Sequence, residues 1–200
     1  MNGGGGSAEP DVGDPAMAVA HTIRKDSRMI LARALPGLPP YGEPAISFPA
    51  RDAFREGTVV EFDTGNRQWI GNFADGWRQG VSSLHTELGA RAIVVVASGA
   101  GYVVDATSQT LRCEFGDVTS IWFEPEIAAM IVSNDLWFHA FDAEKPIWTT
   151  RRISWNGMRN IQCDELVLRG EAYSPIEDDW SVFEVDLRSG SVAGGSYTGP

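Results

Sequence analysis

The feature that most constrains this chain is an aspartate that ends an apolar stretch and recurs four times. An apolar or aromatic residue follows each aspartate six positions later. The pairs are Asp63 with Trp69, Asp105 with Leu111, Asp142 with Trp148, and Asp186 with Val192. The aspartates are 42, 37 and 44 residues apart, a spacing that indicates one supersecondary unit used four times. Such a repeat predicts architecture and says little about chemistry.

Each unit is predicted to contain four short antiparallel strands, because its segments are rich in β-branched and aromatic residues and are bounded by turn residues. In the third unit the strands are expected at residues 121–123, 128–132, 136–141 and 147–153. In the fourth unit an eight-residue insert at 172–179 is expected to lengthen the middle hairpin. The first unit is the weakest, with clear strands only at 58–62 and 67–73, as expected where an array ends.

The repeated aspartate has a structural role in this interpretation. We expect its carboxylate to accept hydrogen bonds from backbone amides two or three residues on, which closes the turn between the third and fourth strands. The residue six positions later then returns to the core. Acids in turns are common and a catalytic acid need occur only once, so the turn role is favoured over catalysis for all four aspartates.

Two of these turns resemble those of a known family. Residues 140–148, which include Asp142-Ala143 and Trp148, and residues 185–190, which end in Ser189-Gly190, resemble the outer hairpins of quinoprotein-type β-propeller blades. In that family Asp-Ala opens a turn that carries Thr-Gly, and a tryptophan follows. The resemblance implies blade-like sheets. It implies no cofactor, because nothing in the chain matches the residues that hold a quinone or a metal in the family.

The predicted fold is therefore all-β, with four antiparallel four-stranded repeats arranged like propeller blades in a closed or open array. A two-sheet β-sandwich is the alternative. Residues 1–15 have the composition of a flexible tail, and residues 16–49 are read as an N-terminal extension. Within that extension we expect a short amphipathic helix at 16–35 and a Pro-rich linker or extended edge segment at 36–49. Residues 50–200 are predicted to form a single repeat-built β domain.

Motifs for common catalytic and metal sites are absent from the sequence. There is no GxSxG, HExxH, GxxxxGK[ST] or CxxC, and His21, His85 and His139 are too far apart for a local metal motif. The stretch 93–101 resembles a dinucleotide-binding turn but lacks its third glycine and the helix that should follow, so a hairpin is predicted. No catalytic residue, metal ligand or cofactor is predicted. Cys113 and Cys163 are expected to be small buried hydrophobes in a reducing compartment.

Charge is the second informative feature. The chain has 16 basic and 27 acidic residues, a net charge of −11, which argues against nucleic acid and anionic membranes as partners. No secretion signal or apolar membrane span is found, so a cytoplasmic location is predicted. Residues 164–186 carry eight acids against Arg169 alone, a net charge of −7. This segment is interpreted as a docking face for a basic partner or as a cation-binding loop, the alternative being a solvated edge that prevents aggregation.

The candidate partner-binding residues cluster at the insert and at the turn joining units three and four. They are Tyr173, Glu177, Asp178, Asp179, Trp180 and Trp155. Aromatic side chains beside charges are typical of recognition hot spots, although core packing remains the alternative for both tryptophans.

Two functions from different classes follow from these residues. The first is a non-enzymatic protein-binding module, such as an acidic inhibitor or immunity-type partner that neutralises a basic protein. The alternative is a hydrolase or carbohydrate-acting enzyme whose carboxylates and tryptophans line one end of the repeat array. Such an enzyme should show two carboxylates facing each other across a concave pocket, roughly 5 to 10 Å apart.

Overall fold

The computed structural model describes residues 30–50, 57–77, 81–89 and 91–199, and every regular element in them is a β-strand. None of the described segments forms a helix that could cross a bilayer. The strands are β1 (Leu31–Leu35), β2 (Ile46–Phe48), β3 (Gly57–Asp63), β4 (Gln68–Ala74), β5 (Ser83–His85), β6 (Ala92–Ala97), β7 (Ala100–Asp105), β8 (Thr110–Phe115), β9 (Ser120–Glu124), β10 (Ala129–Ser133), β11 (Phe138–Phe141), β12 (Pro146–Thr149), β13 (Met158–Asp164), β14 (Val167–Ser174), β15 (Asp179–Asp186) and β16 (Val192–Gly194).

The strands form four sheets of four strands each, which we number I to IV along the chain. Sheet I has the order β1-β3-β4-β2, and sheets II, III and IV are meanders of β5 to β8, β9 to β12 and β13 to β16. Neighbouring strands are antiparallel throughout, except that β2 runs parallel to β4. The all-β prediction of four four-stranded, blade-like units is confirmed.

The N-terminal extension differs from its prediction. β1 pairs with β3 from Leu31 opposite Asp63 to Leu35 opposite Val59, so the helix proposed for 16–35 is wrong where the structure describes it. Residues 1–29, including the predicted tail, lie outside the described part. β2 lies within 36–49 at the edge of sheet I, which agrees with the extended edge segment and not with the linker, so the β domain begins before residue 50. Pairing with distant strands overrides local helix propensity here, and that partner cannot be read from neighbouring residues.

Apolar clusters fill the spaces between successive sheets. Sheets I and II enclose Phe62, Phe73, Ile93 and Tyr102, sheets II and III enclose Val94, Val103, Met130 and Phe141, and sheets III and IV enclose Ile131, Phe138, Leu168 and Phe183. Strands β6 and β10 are buried along their whole length because both faces of their sheets are covered, which explains their continuous apolar runs. In β14, buried and more exposed residues alternate, since sheet IV has one covered face. Among the described residues, no such cluster joins sheet IV to sheet I.

All four repeated aspartates close turns as predicted. The shared feature is a carboxylate Oδ1 that accepts the backbone N–H two residues on. The distances are 2.7 Å for Asp63 to Gly65, 3.0 Å for Asp105 to Thr107, 2.8 Å for Asp142 to Glu144, and 2.7 Å for Asp186 to Arg188. Asp63 closes the central hairpin of sheet I, whereas the other three close the outer hairpins of their sheets. The residue six positions after each aspartate packs on an apolar cluster, so this prediction is also confirmed.

The structure adds a contact that links each unit to the next. The indole Nε1 of Trp69 donates to the carbonyl of Ala106, and that of Trp148 donates to the carbonyl of Leu187, both at 2.9 Å. Between sheets II and III the donor is the guanidinium of Arg112, and the acceptor is the carbonyl of Ala143. In each case the acceptor is the residue directly after the next unit's aspartate. The aspartate turn therefore presents a fixed carbonyl to the preceding sheet.

The position of the Trp148 indole explains why residue 190 is a glycine. A Cβ at Gly190 would lie 2.8 Å from the Trp148 ring, so the turn of sheet IV has room for the indole only without a side chain there. Gly190 also has φ +71°, which favours glycine.

Asp105 is the most buried of the four aspartates, and its carboxylate is paired with two arginines. Arg112 lies 2.8 Å and Arg91 3.1 Å from its Oδ2. Burial raises the pKa of Asp105, but hydrogen bonds from Arg112, Ser108 and Thr107 and the charge of Arg91 outweigh burial and lower it to about 2. Because Arg112 also bonds the carbonyl of Ala143, this carboxylate holds the donor that joins sheets II and III.

Replacing Trp148 by phenylalanine tests the contact between sheets III and IV. We expect the free energy of unfolding to fall by about 1–3 kcal/mol, because the buried carbonyl of Leu187 loses its donor while most of the ring volume stays. Urea denaturation measures this change. The matched control is Trp77→Phe, which removes an indole hydrogen bond to Asp117 at an exposed site and should change stability by less than about 0.5 kcal/mol. Equal effects of the two variants would contradict the docking role.

Asp105→Asn tests the pair with Arg112 through its pH dependence. The folded pKa lies below the ordinary value of 3.8, so the stabilisation is present above that value and disappears as the pH falls through about 2. We expect the variant to be less stable than wild type by ~1–2 kcal/mol near neutral pH, after allowance for solvent screening. The difference should shrink in urea titrations on approach to about pH 2. The control is Glu114→Gln, which removes an exposed carboxylate on β8, the strand that carries Arg112. Its difference in stability from wild type should not shrink as the pH falls.

Candidate functional site

The insert of the fourth unit is a strand extension and not a loop. β14 continues to Ser174 and β15 begins at Asp179, with Tyr173 paired with Trp180 and Ser174 with Asp179. Only residues 175–178 form the turn. The expectation that the insert at 172–179 lengthens the middle hairpin is therefore confirmed, and the in-and-out alternation of β14 continues through Ala172 and Ser174, which are buried. The aromatic residues consequently sit on a regular two-stranded framework.

Local hydrogen bonds shape the acidic turn, which we call the tip (residues 175–178). The backbone N–H of Glu177 donates to the hydroxyl of the buried Ser174 at 3.4 Å, and Asp178 takes up a left-handed conformation with φ +51°. Beside the tip, the carboxylate of Asp179 accepts the N–H of Trp180 at 2.7 Å. All three acids are exposed, and Asp178 and Asp179 also fix the geometry of the hairpin.

Tyr173 and Trp180 form an aromatic pair on the outer face of sheet IV. Their ring centroids are 5.1 Å apart and their planes are tilted by 44°. The hydroxyl of Tyr173 donates to the carboxylate of Asp178 at 2.6 Å. This hydrogen bond, with partial desolvation and the charge of Asp178, raises the pKa of the tyrosine, which stays a neutral donor. Val182, on the same face of β15 as Trp180, and Ile176, in the tip, are 74% and 75% exposed and add apolar surface to this end of the hairpin.

A third strand contributes an arginine to the aromatic pair. The guanidinium carbon of Arg159 on β13 lies 3.9 Å from the centre of the Trp180 ring. Its Nε bonds the Oε2 of Glu171 at 2.8 Å, and Asn160 donates to the same oxygen at 2.8 Å. The hydrogen bonds from Arg159 and Asn160 lower the pKa of Glu171, so the carboxylate is ionised at neutral pH. Cross-strand register brings these side chains together.

Acids dominate the electrostatics of this face. Arg169 is bonded to Glu184 at 2.8 Å, and this bond raises its pKa together with the charge of Glu184 and, further off, Asp164 and Glu165. At the opposite end of the sheet from the tip, burial and the charges of Glu124 and Asp164 raise the pKa of Cys163. Arg159 and Arg169 are each balanced by one glutamate, Glu171 and Glu184. The acids at 177–179 therefore leave the face with a net negative charge.

The two cysteines are only partly as predicted. Cys163 is exposed and Cys113 is half-buried, so the expectation that both are buried hydrophobes is wrong for Cys163. Cys163 stands on β13, an edge strand of a sheet with one open face, where alternation no longer guarantees burial. Both are free thiols.

The outer face of sheet I, at the other end of the stack, is partly covered. The proline-rich segment between β1 and β2 lies against Ile70 and Asn72 of β4 and encloses a cavity of about 300 Å³ with them. Asn72 is 4% exposed as a result. The two ends of the stack therefore differ, and sheet IV presents the more open face.

Trp155 belongs to a different cluster from the aromatic pair. Its ring packs on Tyr197 at 4.5 Å, and the guanidinium of Arg152 lies 4.8 Å from the Tyr197 ring. The nearby Ser196 hydroxyl donates to the carbonyl of Tyr173 at 2.7 Å. This cluster contacts the hairpin at Tyr173, close to the tip, and the structure does not place Trp155 in the aromatic surface formed by Tyr173 and Trp180.

Three side chains of the face were not singled out from the sequence, namely Arg159, Ile176 and Val182, whereas Glu171 was counted only among the acids of residues 164–186. Ile176 carried a signal, as an apolar residue beside consecutive acids. Val182 is one residue of an alternating strand whose outward face could have been assigned once the strand was placed. Arg159 gave no local signal, and its pairing with Glu171 could not be predicted, because their proximity depends on the register of β13 against β14.

The described residues contain no group of three or more His, Cys, Asp and Glu side chains arranged to hold a metal. His85 is bonded to the hydroxyl of Ser83 at 2.9 Å. His139 packs on Phe115 and Phe141, and burial lowers its pKa. These contacts give both histidines structural roles in the described part of the chain.

The enzyme alternative requires two carboxylates at a concave pocket, and a cavity of about 210 Å³ beside sheet I is lined by Glu43 and Glu61. Glu43 pairs with Arg67 at 2.9 Å, and Glu61 pairs with Arg33 at 2.7 Å. Each carboxylate therefore contacts its own arginine.

Comparison with known proteins gives no family for this chain. No protein-family description and no curated protein matches it. One solved structure, the crystal structure of the eukaryotic initiation factor, is similar at 14% sequence identity and a TM-score of 0.37. The match covers 70% of this chain and 40% of that chain, so the chain corresponds to less than half of its length. Similarity of this degree indicates neither a shared fold nor a shared activity.

Proposed function

We propose that this chain is a non-enzymatic protein-binding module that docks a basic partner on the outer face of sheet IV. The observation that carries the proposal is the rigid hairpin that presents Tyr173 and Trp180, with exposed Ile176 and Val182 beside them and acids around them. We call these four side chains and the acids 177–179 the docking face.

The apolar part of the docking face has the chemistry of a recognition hot spot. Aromatic side chains supply a large contact area at low conformational cost because they have few rotatable bonds. The bond from Tyr173 to Asp178 and the contact of Trp180 with Arg159 restrict both rings before a partner arrives. Exposed Ile176 and Val182 add area that water covers unfavourably in the free protein.

Charge selects the class of partner. Residues 164–186 carry a net charge of −7, and the arginines on the face are paired with its own carboxylates. A cationic surface is therefore attracted during encounter, whereas a second copy of the chain would bring acids against acids. This argument favours a basic protein over self-association.

The finer reading is that of an acidic inhibitor or immunity-type partner that neutralises a basic enzyme. Such a protein must occlude a cationic surface, and a projecting acidic hairpin with an aromatic anchor is suited to that task. We place the interaction in the cytoplasm, because the free thiols Cys113 and Cys163 are compatible with a reducing compartment. The hydrolase alternative would use the cavity beside sheet I, where Glu43 and Glu61 are each paired with an arginine.

Substitutions at the docking face should separate the effect of charge on the association rate from the effect of aromatic contact on the dissociation rate. Glu177→Gln, Asp178→Asn and Asp179→Asn together keep hydrogen-bond acceptors but remove three charges, so association with the partner should slow and its salt dependence should flatten. Trp180→Ala should instead speed dissociation and weaken binding by about 2 kcal/mol or more. Surface plasmon resonance at several salt concentrations measures both effects.

The wild-type chain and these variants serve as parallel baits to capture the partner. Quantitative mass spectrometry identifies the proteins that each bait retains and compares their amounts. The charge-matched control neutralises Glu87, Glu114 and Glu144, which are exposed acids on other sheets. The aromatic control is Trp77→Ala, an exposed tryptophan outside sheet IV. A basic protein held by the wild type and both controls but lost by the docking-face variants supports the proposal. A partner whose affinity is indifferent to both docking-face changes would sink it.

A further inference from the structure

Arg159 already occupies a site that has the chemistry of an arginine receptor. Its guanidinium carbon lies 3.9 Å from the Trp180 ring centre, and its Nε lies 2.8 Å from the carboxylate of Glu171. A planar guanidinium can stack on an aromatic face and bond a carboxylate at the same time, which a lysine ammonium does less well. The arrangement of Trp180 and Glu171, which we call the arginine seat, is therefore selective for arginine over lysine.

The seat is held in place by residues other than the arginine that fills it. Asn160 donates to the same Glu171 oxygen at 2.8 Å. Tyr173 packs on Trp180, and the two residues face each other in the register of β14 and β15. Because these supports do not involve Arg159, the seat should persist when that side chain leaves.

The occupant is held only at the surface. The side chain of Arg159 is 48% exposed, and exposed ion pairs of this kind contribute little to stability. Trp180 belongs to the docking face, so an arriving basic surface meets the ring that Arg159 covers. An arginine brought by the partner can make the same two contacts.

We infer that the arginine seat is a recognition subsite for an arginine of the partner and that Arg159 is an internal occupant which the partner's arginine displaces. The inference rests on the proposed function and specifies its chemistry. Arg159 thereby lowers the apparent affinity of the face, since a ligand binds only the fraction of molecules in which the seat is open. It also excludes lysine-rich surfaces that bind through charge alone.

This model makes a prediction of unusual sign, because removal of Arg159 should strengthen binding. The probes are the blocked peptides tetra-arginine and tetra-lysine, titrated into the full chain and followed by the indole N–H resonance of Trp180, with assignment by Trp180→Phe. Arg159→Ala should bind tetra-arginine about three- to tenfold more tightly than wild type, as expected if the seat is closed most of the time. Tetra-lysine should gain much less.

Arg169→Ala is the matched control. Like Arg159, Arg169 lies on the outer face of sheet IV and is bonded to a glutamate at 2.8 Å. The arginine seat is defined by the additional contact of Arg159 with the Trp180 ring. Both variants remove one positive charge, so general attraction for a cationic peptide rises equally. The excess gain of Arg159→Ala over Arg169→Ala measures the seat. Arg159→Gln, which keeps part of the aliphatic chain without a guanidinium, is the second variant if the alanine form folds poorly by circular dichroism.

Two results would overturn the inference. One is an equal gain for Arg159→Ala and Arg169→Ala. The other is an equal gain for tetra-arginine and tetra-lysine in Arg159→Ala. Either result leaves the proposed function standing if the natural partner still depends on the acids 177–179 and on Trp180. Conversely, a partner that ignores those residues removes the proposed function whatever the peptides do.

Discussion

The stack of sheets depends on a hydrogen bond that each unit makes to the turn of the next. The carboxylates of the repeated aspartates fix the turns, and in three of them the carbonyl that follows is presented to the preceding sheet. Trp69, Arg112 and Trp148 supply the donors. These bonds set how neighbouring sheets meet, and the apolar clusters then fill the space between them. A buried carbonyl without a donor would cost free energy, so the repeat is maintained at every junction.

The open face of sheet IV follows from its place at the end of this stack. Trp148 holds the sheet from one side through Leu187, and its inner face is covered by the apolar cluster shared with sheet III. The outer face is left to solvent, and there the longest hairpin of the described chain extends beyond its neighbours. A regular two-stranded framework positions side chains more accurately than a loop would. The proposed docking face thus draws its rigidity from the same strand pairing that builds the fold.

Local sequence signals predicted part of the candidate site. Tyr173, Trp180 and the acids at 177–179 were identified because aromatic and charged residues lie close together in the chain. Trp155 was grouped with them by the same reasoning, yet it packs on Tyr197 in a separate cluster. Arg159 was not identified, and neither was its pairing with Glu171, because both residues are brought to Trp180 by the pairing of β13, β14 and β15. Proximity in sequence is a poor guide to proximity across strands.

The amino-acid sequence by itself determined the strands of sheets II to IV and the central hairpin of sheet I, the four aspartate turns and the acidic character of the fourth unit, because each depends on contacts within a few residues. Only the tertiary structure decided that β1 and β2 complete sheet I, since their partners β3 and β4 are joined to them by long-range pairing. It also decided which donors meet the turn carbonyls and that an arginine covers Trp180. Those contacts depend on register and sheet packing, which no short stretch of sequence specifies.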